Sequence, residues 1–205
     1  MANELNRVEP PALPLAPEEY QRPYQDQSNN VLRLFFNRLV GLIREVISTD
    51  DGGKFLYFPR GLFYSTTDQT AALVNTGYPV EFENTYIESG ISIVDDTEIT
   101  VSADGIYNFQ VTLQTAHTNS SAVQVWTWIN KNGTDVTYGG QQQTIVGNAN
   151  QPVYWNFSID LTAGQYIEMY WATADLSLSL DSTAPTSPHP GIPSAVVAVS
   201  FVSNL

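Results

Sequence analysis

Val153-Tyr154-Trp155-Asn156-Phe157-Ser158-Ile159-Asp160-Leu161 alternates without a break. Successive side chains of an extended chain point to opposite faces. Val153, Trp155, Phe157, Ile159 and Leu161 therefore share one side, and Tyr154, Asn156, Ser158 and Asp160 the other. One apolar face of period two predicts a half-buried strand. The same writing recurs at Tyr107, Phe109, Val111 and Leu113, at Ile167, Met169 and Trp171, and at Val197, Val199 and Phe201. Asn132-Gly133, Gly139-Gly140 and Ala163-Gly164 read as turns between such strands. Short strands at this spacing predict a mainly β fold, an antiparallel jelly-roll sandwich over residues 54–205.

Two segments precede the sandwich. Residues 1–27 read as an extended docking arm. Pro10, Pro11, Pro14, Pro17 and Pro23 favour a polyproline-like path, and Leu13, Leu15, Tyr20 and Tyr24 give it apolar teeth for a groove on a partner. Residues 28–53 read as an amphipathic helix over 28–48, capped by Ser28 or Asn29, followed by the linker Asp50-Asp51-Gly52-Gly53. Leu32, Phe36, Leu39, Ile43 and Val46 recur at spacings of four and three, the pattern of a heptad seam between helices. Bundling of copies along that seam is the expectation.

Charge bounds the partners. The formal net charge is -13, and seven of the eight basic residues lie in the first 60 positions. Residues 61–205 hold 13 acids and Lys131 alone among bases. Such a surface cannot neutralise phosphates, which argues against nucleic acid and against an anionic membrane. No apolar stretch approaches the length of a spanning helix. Cysteine is absent, so neither disulfides nor thiolate chemistry enter. The strand Val123 to Asn130 is apolar on both sides, with Val123, Val125 and Ile129 facing one way and Trp126 and Trp128 the other. A second protein surface over Trp126 and Trp128, supplied by symmetric copies, is the expected head interface.

Gly105-x-Tyr107-x-Phe109, Trp128-Ile129-x-Lys131-Asn132-Gly133 and Leu161-x-Ala163-Gly164-x-Tyr166-Ile167-x-Met169, followed by an apolar closing strand, resemble the jelly rolls of the tumour necrosis factor and complement globular-head superfamily. The likeness covers roughly residues 60–205 and implies a tight trimer with one sheet about the threefold axis. Such jelly rolls also resemble the display domains of tailed-phage virion proteins, and the stretches Leu13 to Tyr20 and Asn30 to Asn37 resemble leader segments of structural proteins in phages of aquatic bacteria. Together these resemblances imply a virion structural protein made in the host cytoplasm without a signal peptide. The homotrimer would decorate the capsid as a cement protein or short head fibre, in contact with other capsid or tail proteins. The alternative is a short tail fibre or spike that binds a host surface glycan, with Tyr138 or Tyr154 as an aromatic platform.

Residues suited to catalysis or metal binding are sparse. His117 and His189 lie in turn-like segments without metal-ligand spacing. Glu81 and Glu83 are read on one solvated strand face. Asp95-Asp96 offers oxygens but no Gly-bounded calcium loop. Gly139-Gly140-Gln141-Gln142-Gln143-Thr144 lacks the phosphate-loop ending and reads as a polar hairpin or exposed loop. The expectation is a protein that is not an enzyme, with no catalytic residues, no metal and no cofactor.

Overall fold

The computed structural model describes residues 18–19, 21–47 and 58–205, with the helix side chains described as far as Ile43. The chain divides into two units, residues 1–57 and 58–205.

The first unit contains α1 (Arg22–Ile47). It starts six residues before the expected cap at Ser28, so the end of the presumed arm is helical and Ser28 lies within the helix. Pro23 sits in the first turn, where its missing N–H costs nothing and its φ suits a helix. The polar run that follows is tied along the helix surface. Arg22 faces Asp26 at 3.9 Å, Gln25 Nε2 donates to Asn29 Oδ1 at 3.3 Å, and Arg33 donates to Asn30 Oδ1 at 2.9 Å. At 1.5 Å per residue the helix is about 39 Å long.

The second unit is an antiparallel sandwich of two sheets. The first sheet contains β1 (Arg60–Ser65), β2 (Gln69–Thr70), β4 (Asn84–Ser89), β7 (Gly105–His117), β10 (Ala149–Leu161), β12 (Leu178–Leu180) and β13 (Ala195–Ser203). Its order is β2-β12-β7-β13-β1-β4, with β10 along the other side of β7. The second sheet runs β5-β6-β11-β8-β9, with β3 also on β11. Its members are β3 (Tyr78–Pro79), β5 (Ile91–Val94), β6 (Glu98–Val101), β8 (Val123–Lys131), β9 (Thr134–Ile145) and β11 (Tyr166–Thr173).

The period-two residues fill the space between the sheets. Phe63, Tyr107, Phe109 and Val197 from the first sheet are buried in one cluster with Ile99, Val125, Ile167, Met169 and Trp171 from the second. Full burial of a large apolar side chain contributes roughly 1.5–3 kcal/mol, which makes this cluster the main support of the head. Along β10, Val153 and Leu161 are buried, while Trp155, Phe157 and Ile159 are half-buried. The reason is position: β10 pairs only with β7 and closes one edge of its sheet.

Asn132 and Gly133, both at positive φ, form the two-residue turn joining β8 to β9, as the Asn-Gly pair requires. Gly139-Gly140 is not a turn or loop. Both glycines lie inside β9, next to a register shift between Trp128 and Asn130 of β8. A Cβ on Gly139 would lie 2.7 Å from Ile129 Cγ1, and one on Gly140 would lie 3.1 Å from Trp128 Cβ. Glycine is needed there for close packing. The adjacent Tyr138 takes a φ of 62° and is fully exposed.

Candidate functional site

The sandwich has two outward faces of different chemistry. On the first sheet, β10 turns Tyr154, Asn156 and Ser158 outward, and β7 turns out Asn108, Gln110, Thr112 and Gln114. The next strands add Val196, Ala198 and Ser200 of β13, then Leu62 and Tyr64 of β1. The register aligns these residues in rows: Tyr154, Thr112, Val196 and Tyr64 form one, and Asn156, Gln110, Ala198 and Leu62 the next. Amides cross-link the face, since Asn108 Nδ2 donates to Asn156 Oδ1 at 2.8 Å and Gln110 Nε2 donates to Asn108 Oδ1 at 3.4 Å. Charge enters only at one end, with Arg60 and Asp160.

The second sheet turns Trp126 and Trp128 outward, both half-buried. Trp126 lies opposite Gln142 and Ala172, and Trp128 opposite Gly140 and Tyr170. Each indole N–H has a partner in its own chain: Trp126 donates to Gln142 Oε1 at 3.1 Å and Trp128 to Asp135 Oδ1 at 2.9 Å. Trp128 stacks on Tyr170, with ring centroids 5.6 Å apart and planes 27° from parallel. The tryptophans singled out from sequence are thus partly covered by their own neighbours. They face away from the uncharged surface of the first sheet. Asp135, Glu168 and Glu98 border them, and partial burial raises the pKa of Glu168, with Glu98 adding to the effect.

The edge at β10 is a third feature. Phe157 stacks on the core ring of Phe109 with centroids 4.9 Å apart, and Trp155 packs on Phe157 at 4.9 Å. Two side chains of the second sheet reach this strand's backbone. Gln141 Nε2 donates to the Tyr154 carbonyl at 3.0 Å and Lys131 Nζ donates to the Asp160 carbonyl at 2.7 Å. Tyr154, a platform candidate in the sequence, is exposed on this strand.

On α1, Leu32 and Leu39 are half-buried, as are Val31, Phe35 and Leu42. Phe36 and Ile43 are exposed, together with Leu34 and Val40. The apolar stripe is therefore wider than one seam, and Phe36, Val40 and Ile43 continue it at spacings of four and three. Tyr24 is half-buried in the first turn of the helix, not on an extended arm. Leu13, Leu15 and Tyr20 of the arm and the side chain of Val46 lie outside the described residues.

His117 and Glu83 have structural partners. His117 is not an exposed turn residue. It ends β7, is 1% exposed, and places Nδ1 2.9 Å from the Gly147 carbonyl. A carbonyl only accepts, so Nδ1 carries the proton and Nε2 faces Asp175 Oδ2 at 4.0 Å. His189 is exposed in the loop before β13. Glu81 and Glu83 lie outside any strand and flank the buried Phe82. Glu83 accepts from the Thr66 N–H, both threonine hydroxyls at 66 and 67, and Asn84. Partial burial would raise its pKa, but hydrogen bonds from the Ser65 side chain, the Thr66 and Glu83 backbone and the Thr66 side chain outweigh it and lower the value. Asp95 and Asp96 occupy the turn from β5 to β6 at positive φ. No group of three or more metal-ligating side chains occurs among the described residues.

No family model matches the chain, and no curated protein matches it. No helix among the described residues is long and apolar enough to cross a membrane.

The uncharged face of the first sheet was missed as a site in the sequence. Its signal was present: every outward position from Asn108 to Gln114 and from Tyr154 to Ser158 is uncharged, in a segment with 13 acids.

Proposed function

We propose that the chain is a non-enzymatic structural protein of a phage virion, a homotrimer whose sandwich head decorates the capsid and whose N-terminal segment docks it. The observation that carries this reading is the outward face of the first sheet, uncharged except at the end marked by Arg60 and Asp160. Charged residues are depleted at the core of protein interfaces. In an acidic chain, copies can meet without like-charge repulsion only where acids are missing. The aromatic edge of β10 borders the same face and offers apolar area beside it. The exposed line Phe36, Val40 and Ile43 supplies a second contact, along the helices. On this reading the threefold contact lies on the first sheet. Trp126 and Trp128, the sequence's candidates for it, then face outward. Glu83 sits in a hydrogen-bonded corner and His117 under a closed loop, which suits a display part better than a reaction centre.

The test is Gln110→Glu in the full chain. Gln110 is exposed in the single protomer, so the change leaves its fold within about 0.5 kcal/mol. At a threefold contact it would bring three carboxylates together. Light scattering should give three times the 22.7 kDa protomer mass for the parent and a lower mass for the variant. A monomeric parent, or a variant that assembles normally, refutes the interface. For the capsid role, the protein should purify with filled heads and be missing from isolated tails. The second reading, a tail spike that binds a glycan, is favoured by the outward indoles of the second sheet.

A further inference from the structure

We infer that the outward face of the second sheet, centred on Trp126 and Trp128, is a binding platform for a neutral saccharide. Both indole N–H groups are already engaged, with Gln142 and Asp135, so ring surface is what these side chains have left to offer. The rings are held in place before any ligand arrives. Trp128 is stacked on Tyr170 and hemmed in by two glycines: a Cβ on Gly77 would lie 2.7 Å from its Cζ2, and one on Gly140 3.1 Å from its Cβ. Such preorganisation lowers the cost of binding. Outward neighbours on one strand are roughly 6.6 Å apart, a step comparable to one hexose unit, so the two indoles suit consecutive sugars.

The rim chooses the ligand class. The Asn130 row places Asp135 on one side and Glu168 on the other. Carboxylates are pure acceptors, and they match a ligand rich in hydroxyl donors. Lys131, the one base after position 60, is bonded to Asp160. An anionic glycan would meet only repulsion. A second copy would bring the same acids against these, and an apolar partner would bury their charge with no counter-charge. A pyranose presents C–H groups to the rings and hydroxyls to the rim, which answers both features.

The experiment uses the full chain on an array of neutral and anionic glycans, followed by titration of array hits and of polygalacturonate by tryptophan fluorescence. Neutral glycans should bind and polygalacturonate should bind at least about tenfold more weakly, a difference of about 1.4 kcal/mol. Trp126→Ala should weaken binding by about tenfold or more, and Glu168→Gln, which leaves the rings in place, by a few-fold. Light scattering on the same samples should show unchanged mass. That separates failure of the platform from failure of the trimer. The inference is overturned if no neutral glycan binds up to its solubility limit. Equal affinity for polygalacturonate, or binding that survives Trp126→Ala, overturns it too. A fall in mass on Trp126→Ala does the same, because it makes this face a subunit contact.

Discussion

Gly105→Ala should destabilise the head by about 2–3 kcal/mol, although alanine is ordinarily the better strand residue. Gly105 opens β7 in the motif Gly105-x-Tyr107-x-Phe109 and is buried. A methyl group there would overlap Phe201 Cε2 outright and lie 2.8 Å from both Phe201 Cδ2 and the Ser203 backbone oxygen. Two effects compete. Removing a glycine from a strand interior gains roughly 0.5–1 kcal/mol of chain entropy. Overpacking a core costs roughly 1–3 kcal/mol, and here the upper end applies, since a backbone oxygen cannot swing aside as a side chain can. Phe201 also has little room, being 6% exposed and set edge-on to Tyr107 at 5.6 Å. For a domain of this size each kcal/mol moves the melting temperature by about 2–4 °C, so a fall of about 5–10 °C is expected by calorimetry. Phe201→Leu removes the overlapping ring. The double variant should therefore be less destabilised than the two single changes summed, by at least about 0.5 kcal/mol. A Gly105→Ala protein as stable as the parent, or strict additivity, would refute this account of the glycine.

Three further outcomes are expected. Burial, with the Asp104 charge adding to it, pushes the Tyr107 phenol up to about 12, above its ordinary value near 10; the folded state then holds a proton that the unfolded chain releases, so stability is complete below pH 10 and falls between about 10 and 12, and a Tyr107→Phe protein should show a shallower alkaline decline in urea titrations. Hydrogen bonds from Ser177, backbone first and side chain next, hold Asp175 below the usual carboxylate range, so its contribution is present near neutrality and is lost as pH falls through the lowered value; Asp175→Asn should flatten that acid limb, and an unchanged profile would count against the loop clasp around His117. Phe36→Asp with Ile43→Asp, both exposed in the protomer, should leave the melting of the head unchanged but expose the helix to protease; protection equal to the parent's would show that this line is not packed against its copies.

What the sequence made legible was the part of the fold written in periodicity. Tyr107 to Leu113 and Val153 to Leu161 alternate because each strand has one dry face, and both emerged as strands with those residues inward. Two of the misreadings share a cause: residues whose role is set by partners elsewhere in the fold. Gly139-Gly140 carries a turn signal, yet its glycines answer to Ile129 and Trp128 across the ladder. His117 sits among threonines, asparagine and serines that look like a loop, and its partners are Gly147 and Asp175. The helix began early because the polar run from Gln25 to Asn30 is satisfied along the helix surface, where composition alone suggests a cap. At the candidate site, the two-faced character of Val123 to Asn130 was readable. That each indole N–H would find its own acceptor was not, because the acceptors sit on β9.

The distribution of acids ties these observations to assembly. Eight of the 13 acids after position 60 lie in turns and loops: Asp68, Glu81, Glu83, Asp95, Asp96, Asp104, Asp175 and Asp181. Glu98, Asp135 and Glu168 border the outward face of the second sheet, and Glu88 and Asp160 lie on the edge strands β4 and β10 of the first. None falls on the outward face of β7 or β13. A face kept soluble only by water would gain from acids there, as the rest of the surface does. A face that must meet its own copies cannot carry them, since each would be desolvated beside its like. The same rule disfavours copies meeting through the second sheet, whose acids suit a partner that brings hydrogen-bond donors and no negative charge. On the proposed reading, one pattern of charge leaves one side of the sandwich for self-association and the other for ligand binding.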